Sequence, residues 1–493
     1  MPDPVARRTK RMVVIPAFSL TETCSEHDSG AIKRAIPAVS TTRRSQQYFI
    51  RPVAAEVQAG RKASAKWVRQ EFNWLPLVLD QNGKPWDVAV IYVLSKLQGL
   101  VAPNMTTYHG IADDLSVFLA FLEEYEIDFT DFPQHKLKRP TYRFHGYLKN
   151  LVFDGHIAAT TAKRRMGAVI SFYRWLVTEG LLAPSNPLWQ ERDHYLSFRN
   201  AKGFGIEKVV KTTDVSIKIP KQADPYAGTI DDGGKLRPLL IQEQKWLIEA
   251  LAHLGNVEMT LIHAFMLATG ARIQTALTLR VRHAQLTLPD GLHEFRFLVG
   301  PGTGVDTKYD KLMTLHIPRW LYERLRIYSY SQRASKRRIR ASGGDTAEQY
   351  LFLTQQGHPY YQNKSETLEF NPSVMVRHQK KGQTVRTFMA EHVIPYIRKH
   401  YDSTFHYRAH DLRATYGMNL TDIQLALVQR GEITLAQARE FVKARMGHES
   451  SATTDLYLDY RRNLKMVYEA VDAHERYYRD LIEKAWEGTL EVA

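Results

Sequence analysis

The residues best suited to chemistry are two arginines, two histidines and a tyrosine in the C-terminal half of the chain. His448 follows a glycine and precedes Tyr457 by nine positions, while His410 and Arg413 lie three positions apart and Arg272 comes much earlier. Guanidinium groups stay charged and can bind two phosphate oxygens at once. Tyrosine can act as a nucleophile and histidine can move protons. Together these residue types indicate cleavage of a phosphodiester without metal or water.

In this order, the five residues resemble the tyrosine recombinase (phage integrase) family. The resemblance covers the C-terminal half of the chain well and the stretch before it more weakly. It implies a site-specific DNA recombinase that cleaves and rejoins DNA through a 3′-phosphotyrosine intermediate. Because that ester keeps the energy of the cleaved bond, rejoining needs no ATP. The resemblance therefore implies neither a cofactor nor a metal.

The resemblance also implies a role for each residue. Tyr457 matches the nucleophile, and Arg272 and Arg413 match the arginines that bind the nonbridging phosphate oxygens. His410 and His448 match the two histidines, of which the first handles protons at the scissile phosphate. The apolar run before Arg272 is an unfavourable place for a solvated charge, which favours a functional role for that arginine.

Three positions need comment. The family has a lysine on a β-hairpin that protonates the 5′-oxygen; Lys308 is preferred because it falls nearer the turn, and Lys311 is the alternative. Tyr460 is an alternative nucleophile, but the spacing from the Gly-His pair favours Tyr457. The family often has an acidic residue three positions after its first arginine, where this chain has Thr275. We therefore expect that arginine to be oriented by other contacts.

Composition fits a nucleic-acid partner without identifying one. The chain has 493 residues, so two or three domains are expected. Its formal charge of +15 favours a polyanion or an anionic membrane surface as the partner. Cys24 is the single cysteine, which excludes intramolecular disulfides and thiolate clusters and fits the cytoplasm. A short apolar run near the N-terminus is broken by Pro16, so neither a signal peptide nor a membrane span is expected.

The expected fold is mainly α with a small β-sheet (α+β), with a helical core-binding (SAM-like) domain and a tyrosine-recombinase catalytic domain, both implied by the resemblance. The expected divisions are 1–86, an N-terminal arm or accessory region; 87–199, the helical core-binding, DNA-binding domain; 200–236, an interdomain linker; 237–470, the catalytic domain; and 471–493, a C-terminal tail helix. The Gly- and Pro-rich composition of 200–236 favours a linker, part of which can pack as an ordered insertion.

Helical periodicity marks the second of these regions. One apolar helix face is formed by Ile111, Leu115, Phe118, Leu119 and Leu122. A second helix carries Phe172, Trp175 and Leu176, which we expect in the core. Lys163, Arg164 and Arg165 on the same segment suit contacts with DNA phosphates, and a solvated helix face is an equal alternative.

Local signals in the C-terminal region are sharper. Alternating apolar residues over 294–299 and 313–317 predict a β-hairpin. Thr434 and Gln437 form a capping-box pattern that predicts a helix ending at Gly447, which would place His448 at a rigid corner. The basic run 331–340 is predicted to be a solvated loop, with contact to DNA or a partner subunit as the alternative.

The leading hypothesis is thus an integrase-type recombinase acting on double-stranded DNA, as a homotetramer on paired sites. A C-terminal helix that docks on a neighbouring subunit would suit that assembly, although a helix folded back on its own domain is as good an interpretation. Two other functions stay open: a non-catalytic DNA-binding accessory or regulatory protein on the same scaffold, and relaxation of supercoils by a type IB topoisomerase-like enzyme.

Overall fold

A computed structural model describes residues 11–21, 23–24, 32–35, 47–50, 69–98, 100, 103–199, 205–219, 228–368 and 380–490. The chain divides into two compact units, the first formed by 1–221 with 367–378 and the second by 222–366 with 379–493. The division falls inside the range 200–236, for which a linker is expected. Both units are mainly helical with small antiparallel sheets, as the sequence predicts.

The first unit contains seven strands and four helices among its described residues. The strands are β1 (Met12–Thr21), β2 (Thr23–Cys24), β3 (Ile32–Ala35), β4 (Gln47–Ile50), β5 (Arg69–Val78), β6 (Glu191–Arg199) and β7 (Gly205–Thr213). The helices are α1 (Asp87–Leu97), α2 (Met105–Glu124), α3 (Pro140–Phe153) and α4 (Ala159–Thr178). β1 pairs with β5, β4 lies between β2 and β3, and β6 pairs with β7.

Aromatic side chains fill the space between these helices. Phe118 of α2, Phe144 of α3 and Phe172 of α4 are completely buried. The Phe118 ring meets Phe144 edge to face, and the Phe172 ring meets Trp86 in the same way, as aromatic pairs prefer. Trp175 and Leu176 are buried beside them. The prediction that the α4 aromatics are core residues is therefore confirmed.

Strands lie in two ranges for which the sequence analysis predicts none, the N-terminal arm or accessory region and the linker. In the expected N-terminal arm, β5 buries Phe72 and Leu75 against α1 and α2. In the expected linker, β7 completes a hairpin with β6, and Val215 beyond it is buried in the core of the helices. Strands β6 and β7 thus extend the helical unit as far as Val215.

The three basic residues of α4 differ in their surroundings: two lie beside an acidic residue and one is exposed to solvent. Arg164 donates to Asp114 of α2 over 2.7 Å, and Arg165 lies 3.9 Å from the same carboxylate. Burial raises the pKa of Asp114 to about 6, against the lowering effect of the two arginines. Lys163 is exposed. Arg164 and Arg165 therefore have a structural partner, and their contact with DNA stays a prediction.

The second unit contains four strands and twelve helices among its described residues. The strands are β8 (Ile230–Asp231), β9 (Lys235–Leu236), β10 (Glu294–Val299) and β11 (Met313–Pro318). The helices are α5 (Ile241–Leu254), α6 (Val257–Thr269), α7 (Ile273–Leu277), α8 (Val281–Ala284), α9 (Arg319–Tyr330), α10 (Gln332–Arg340), α11 (Lys364–Leu368), α12 (Gln383–Phe388), α13 (Ile394–His400), α14 (Asp411–Gln429), α15 (Leu435–Met446) and α16 (Ser451–Leu490). A π-helical turn, Met389–Val393, joins α12 to α13.

The predicted hairpin is confirmed as β10 and β11, which pair antiparallel from Glu294 opposite Pro318 to Val299 opposite Met313. Its alternate residues Phe297, Leu315 and Ile317 are buried in the core that surrounds α6. Helix α6 is buried along most of its length because it is apolar nearly all round. The hairpin is fixed to this core and carries the loop that holds Lys308 and Lys311.

The prediction of a solvated loop at 331–340 is wrong. These residues form α10, capped by Ser331, whose hydroxyl oxygen accepts from the Ala334 amide. Arg333 and Arg337 both bind the carboxylate of Glu258 at the start of α6. Arg333 and Arg337 of the basic run are thus paired with a carboxylate of the same unit.

The final helix is continuous across the expected boundary between the catalytic domain and the tail. Helix α16 runs from Ser451 to Leu490, and its residues 471–483 are exposed. Within the described ranges, no helix is long and apolar enough to cross a membrane.

Replacing Glu258 by Gln should destabilise the second unit. Its carboxylate is fully buried and accepts from Tyr328 and Arg333, so the change leaves arginine charge unpaired at a cost of about 3–5 kcal/mol. Urea denaturation of the full chain measures the loss. The matched control is Glu323→Gln, which removes an exposed pair with Arg319 worth about 0–1 kcal/mol. Equal losses in the two variants would contradict the structural role of Glu258.

Candidate active site

A tight turn between β8 and β9 carries the group on which the site is centred. The two short strands pair Ile230 with Leu236, and Gly233 and Gly234 between them have φ angles of 70° and 152°. Only glycine adopts such angles without strain. The turn directs Asp232 inward, where its side chain is buried. Ile230 fixes the turn by packing in the same apolar cluster as Tyr457.

The Asp232 carboxylate joins four of the predicted site residues. One oxygen, Oδ2, lies 3.3 Å from Arg413 Nε, 3.3 Å from His448 Nε2 and 3.1 Å from the Tyr457 hydroxyl. The other, Oδ1, lies 3.8 Å from Arg272 Nη2. Burial alone would raise the pKa of Asp232, but the hydrogen bond from His448 and the charges of Arg413 and Arg272 hold it well below its usual range. The carboxylate is therefore ionised and holds the site together.

Arg413 lies in the first turn of α14 and is almost completely buried. Its two terminal nitrogens each donate over 2.8 Å, to the carbonyls of Gly270 and Met446. These carbonyls belong to the C-terminal ends of α6 and α15, where unpaired carbonyls carry partial negative charge. Arg413 thus ties three helix ends together and keeps its Nε for the site.

Arg272 is placed by the end of α6. Gly270 ends that helix in the left-handed conformation, and a Cβ at this position would lie 2.4 Å from the Tyr416 ring. The chain then turns so that Arg272 precedes α7. Its Nε is buried with no hydrogen-bond partner within the described part of the chain. Burial and the charge of Arg413 lower the pKa of Arg272 to about 10, so the guanidinium stays charged at neutral pH with unused donor capacity.

His448 stands at the rigid corner predicted from the sequence. The capping box of Thr434 and Gln437 starts α15, and Gly447 ends it with a φ angle of 63°. The His448 Nδ1 is 3.1 Å from the hydroxyl of Thr454, which fixes the ring while Nε2 faces Asp232. Helix α16 begins at Ser451, so Tyr457 lies almost two turns from its start.

Tyr457 is completely buried in this structure. Its hydroxyl donates to Asp232, and burial, followed by the negative charge of that carboxylate, raises its pKa far above 10. A Cβ at Gly417 of α14 would lie 2.5 Å from the Tyr457 ring, so only glycine leaves room for the ring here. The hydroxyl of Tyr460 instead donates to the Gly228 carbonyl over 3.4 Å. The structure therefore brings Tyr457, and not the hydroxyl of Tyr460, to the arginines.

His410 immediately precedes α14 and hydrogen-bonds to the backbone carbonyl of Asp232. Burial, followed by the charges of Arg272 and Arg413, lowers the pKa of His410 to about 4. The ring is therefore neutral at neutral pH and can accept a proton.

Both candidate lysines reach the site from the hairpin loop. A Cβ at Gly233 would lie 2.9 Å from Lys308 Nζ, so this amine lies directly against the Asp232 turn. Lys311 Nζ donates to the Gly447 carbonyl over 2.9 Å and pairs with Glu449. Lys308 thus lies beside the turn that carries Asp232, whereas Lys311 is bound to the backbone just before His448.

Thr275 does not supply the acidic group that the family often has there. Its hydroxyl donates to the Asp306 carbonyl, two residues before Lys308, and so supports the lysine loop. Asp232 is the acidic residue beside Arg272, and sequence reasoning placed it in a linker. Its signal was a pair of aspartates followed by two glycines between apolar residues, a pattern that by itself predicts only a turn.

The arrangement is suited to a phosphodiester. Two guanidinium groups, an amine and two imidazoles surround one anionic group beside a phenol. Among the described residues, no group of three or more His, Cys, Asp or Glu side chains could hold a metal ion.

Comparison with solved structures gives three examples from one class of protein. The XerH site-specific recombinase bound to difH substrate in a pre-cleavage complex is 14% identical, with 77% of this chain and 85% of that chain covered and a TM-score of 0.39. The Tn1549 transposon integrase with circular intermediate DNA is 13% identical, covering 75% and 94%, with a TM-score of 0.39. A lambda integrase dimer bound to a COC′ core site is 14% identical, covering 76% and 95%, with a TM-score of 0.39.

These neighbours are tyrosine recombinases and integrases. No family model matches the sequence. No curated protein matches it either.

The depressed pKa of His410 predicts a measurable pH dependence. Its ordinary value is 6.5 and its folded value is about 4, so below pH 6.5 the unfolded chain takes up a proton that the folded chain excludes. This contribution to stability is complete above pH 6.5 and is lost as the pH falls toward 4. The ring resonance in NMR, assigned with a His410→Gln variant, should titrate near 4. A midpoint at or above 6.5 would contradict the buried, arginine-facing position.

Proposed function

We propose that the protein is a site-specific DNA recombinase of the integrase type, which cleaves and rejoins double-stranded DNA through a 3′-phosphotyrosine. The observation that carries the proposal is the convergence of all six predicted catalytic residues on one buried anionic turn. Four of them contact the Asp232 carboxylate, His410 contacts its carbonyl, and Lys308 lies against the next residue.

The convergence is informative because the six residues are far apart in sequence. Arg272 precedes α7 and Tyr457 lies in α16, so the two meet only through the fold. A basic protein without a phosphate site gains nothing from placing the half-buried Arg272 beside the buried Arg413, since each lowers the stability of the other's charge. An anion bound between them resolves that conflict, as Asp232 does in this structure.

In the proposed reaction the Tyr457 oxygen attacks the scissile phosphorus and the bond from phosphorus to the 5′-oxygen breaks. The phenolic proton passes to a histidine, a role that the resemblance assigns to His410. Lys308 donates a proton to the departing 5′-oxygen. Arg272 and Arg413 bind the nonbridging oxygens, where negative charge increases in the transition state. Attack by a 5′-hydroxyl on the phosphotyrosine reverses these steps and rejoins the strand.

Charge and architecture support DNA as the substrate. The chain carries a formal charge of +15, and a basic protein gains affinity for DNA by releasing counterions from phosphates. We assign the helical unit, including Lys163, to DNA binding and the second unit to cleavage. Recombination of paired sites by a homotetramer in the cytoplasm, with the exposed end of α16 on a neighbouring subunit, completes the proposal. A non-catalytic DNA-binding role is the second candidate, favoured by the complete burial of Tyr457.

Covalent trapping tests the nucleophile. On nicked duplex from the ends of the genetic element that encodes the protein, and without added metal, the wild type should form a protein–DNA adduct visible on a denaturing gel. Tyr457→Phe should abolish the adduct because the phenolic oxygen is the attacking atom, and Tyr460→Phe should retain it. An adduct that survives Tyr457→Phe would refute this assignment. Binding without any adduct would favour the non-catalytic function.

A second experiment separates the two lysines. Lys308→Ala should slow cleavage by about 10²–10⁴-fold, the usual contribution of a general acid. A substrate with sulfur in place of the bridging 5′-oxygen should restore the rate, because a thiolate leaves without protonation. Lys311→Ala should slow cleavage less and should show no selective recovery, since its amine binds the Gly447 carbonyl. Recovery only in Lys311→Ala would reverse the assignment.

A further inference from the structure

We propose that Asp232 is an autoinhibitory plug: its carboxylate occupies the position of the scissile phosphate, and DNA must displace it before Tyr457 can react. The inference rests on the proposed function, because it assigns Asp232 a role in the same site. It concerns the resting state of that site, which the catalytic assignment does not specify.

The contacts of Asp232 are those that a bound phosphodiester would need. Its Oδ2 faces Arg413 Nε and His448 Nε2, while Oδ1 faces Arg272. A carboxylate and a phosphate both present oxygens that carry negative charge to such donors. Arg272 Nε, buried and without a hydrogen-bond partner in the part of the chain described, is a donor that the Asp232 carboxylate does not use.

Substrate and plug exclude each other. The donors that bind Asp232 cannot bind a phosphate at the same distances while the carboxylate lies between them, and two adjacent anions repel strongly in a buried site. The Tyr457 hydroxyl also points its proton at Asp232, within 3.1 Å, and is sealed from solvent. The observed arrangement is therefore inactive, and removal of the carboxylate opens the phosphate position and frees the nucleophile.

The turn is built to release the side chain without unfolding the unit. Each strand beside it has two residues, and Ile230 and Leu236 at its base are buried. The tip holds Gly233 and Gly234, which can change backbone angles at little cost. The tip can thus move while its base stays fixed in the core.

A positioning role for Asp232 is the main alternative. If the carboxylate oriented the arginines during catalysis, its removal would slow cleavage at every DNA concentration. A plug predicts the opposite at low DNA, because binding no longer has to compete with an internal anion. The two roles therefore differ in the sign of one effect.

The first test uses inorganic phosphate and the full-length protein. Thermal unfolding is followed at constant ionic strength for wild type, Asp232→Asn and Asp231→Asn. Asp231 is the matched control because it is an exposed carboxylate in the same turn and makes none of the site contacts. Asp232→Asn should be stabilised by phosphate at concentrations about tenfold lower than wild type, and Asp231→Asn should behave as wild type. Equal responses of the two variants would overturn the inference.

Folding of the variants is itself informative. If Asp232→Asn lacks native circular dichroism, Asp232→Ser is measured in the same way. Recovery of native dichroism when phosphate is added would support the plug, since an external anion would replace the missing carboxylate. If both variants stayed unfolded in phosphate, Asp232 would be a structural residue and the inference would fail.

The covalent-trapping assay separates this inference from the proposed function. At subsaturating nicked DNA, Asp232→Asn should form the adduct faster than wild type, by about tenfold. Slower adduct formation at all DNA concentrations, with an active wild type, would refute the plug and leave the recombinase function intact. Tighter phosphate binding by the variant, with no adduct from either protein, would refute the recombinase function and leave Asp232 as the occupant of an anion site.

Discussion

Two arginine side chains, one buried and one half-buried, lie within reach of one carboxylate and impose the main electrostatic constraint on the second unit. Arg272 and Arg413 repel each other, and low-dielectric surroundings strengthen that repulsion. Asp232 offsets it from a different part of the chain, and the carbonyls of Gly270 and Met446 stabilise Arg413 further. The ends of α6, α14 and α15 are thereby held at one point. Without an anion there, native or external, the three helix ends would lose their common partner.

Glycines make this close packing feasible. Gly270 and Gly447 end α6 and α15 in the left-handed conformation. The carbonyls at these two helix ends accept from Arg413, and His448 directly follows Gly447. Gly417 lies under the Tyr457 ring, where a Cβ would overlap it. The Tyr457 side chain is consequently held by contact on one side and by the Asp232 hydrogen bond at its tip. A buried tyrosine with a raised pKa gains reactivity only if that hydrogen bond is exchanged for contact with the phosphate.

Sequence predicted what short-range physics determines. The Thr434 capping box, the β10–β11 hairpin and the buried aromatics of α4 depend on spacing within a few residues, and all three were recoverable. Asp232 was not, because its partners Arg413 and Tyr457 lie 181 and 225 residues away and a Gly-rich context favours a turn over a site. The prediction of a solvated loop at the basic run of α10 was wrong for the same reason. Its partner Glu258 lies 75 residues upstream of Arg333, so the charges looked solvated in the sequence.

Position 275 holds a threonine instead of an acidic residue, and Asp232 supplies the carboxylate beside Arg272. An acid on α7 would move with Arg272 and stay beside it throughout a reaction, whereas an acid on a two-glycine turn can leave. If DNA displaces Asp232 as proposed, the same charge has a different consequence in the two places: it would be a fixed support on α7 and a competitor of the substrate on the turn. Thr275 meanwhile holds the segment that leads to Lys308. Because the carboxylate comes from the β8–β9 turn, the net charge beside the two arginines depends on the position of that turn.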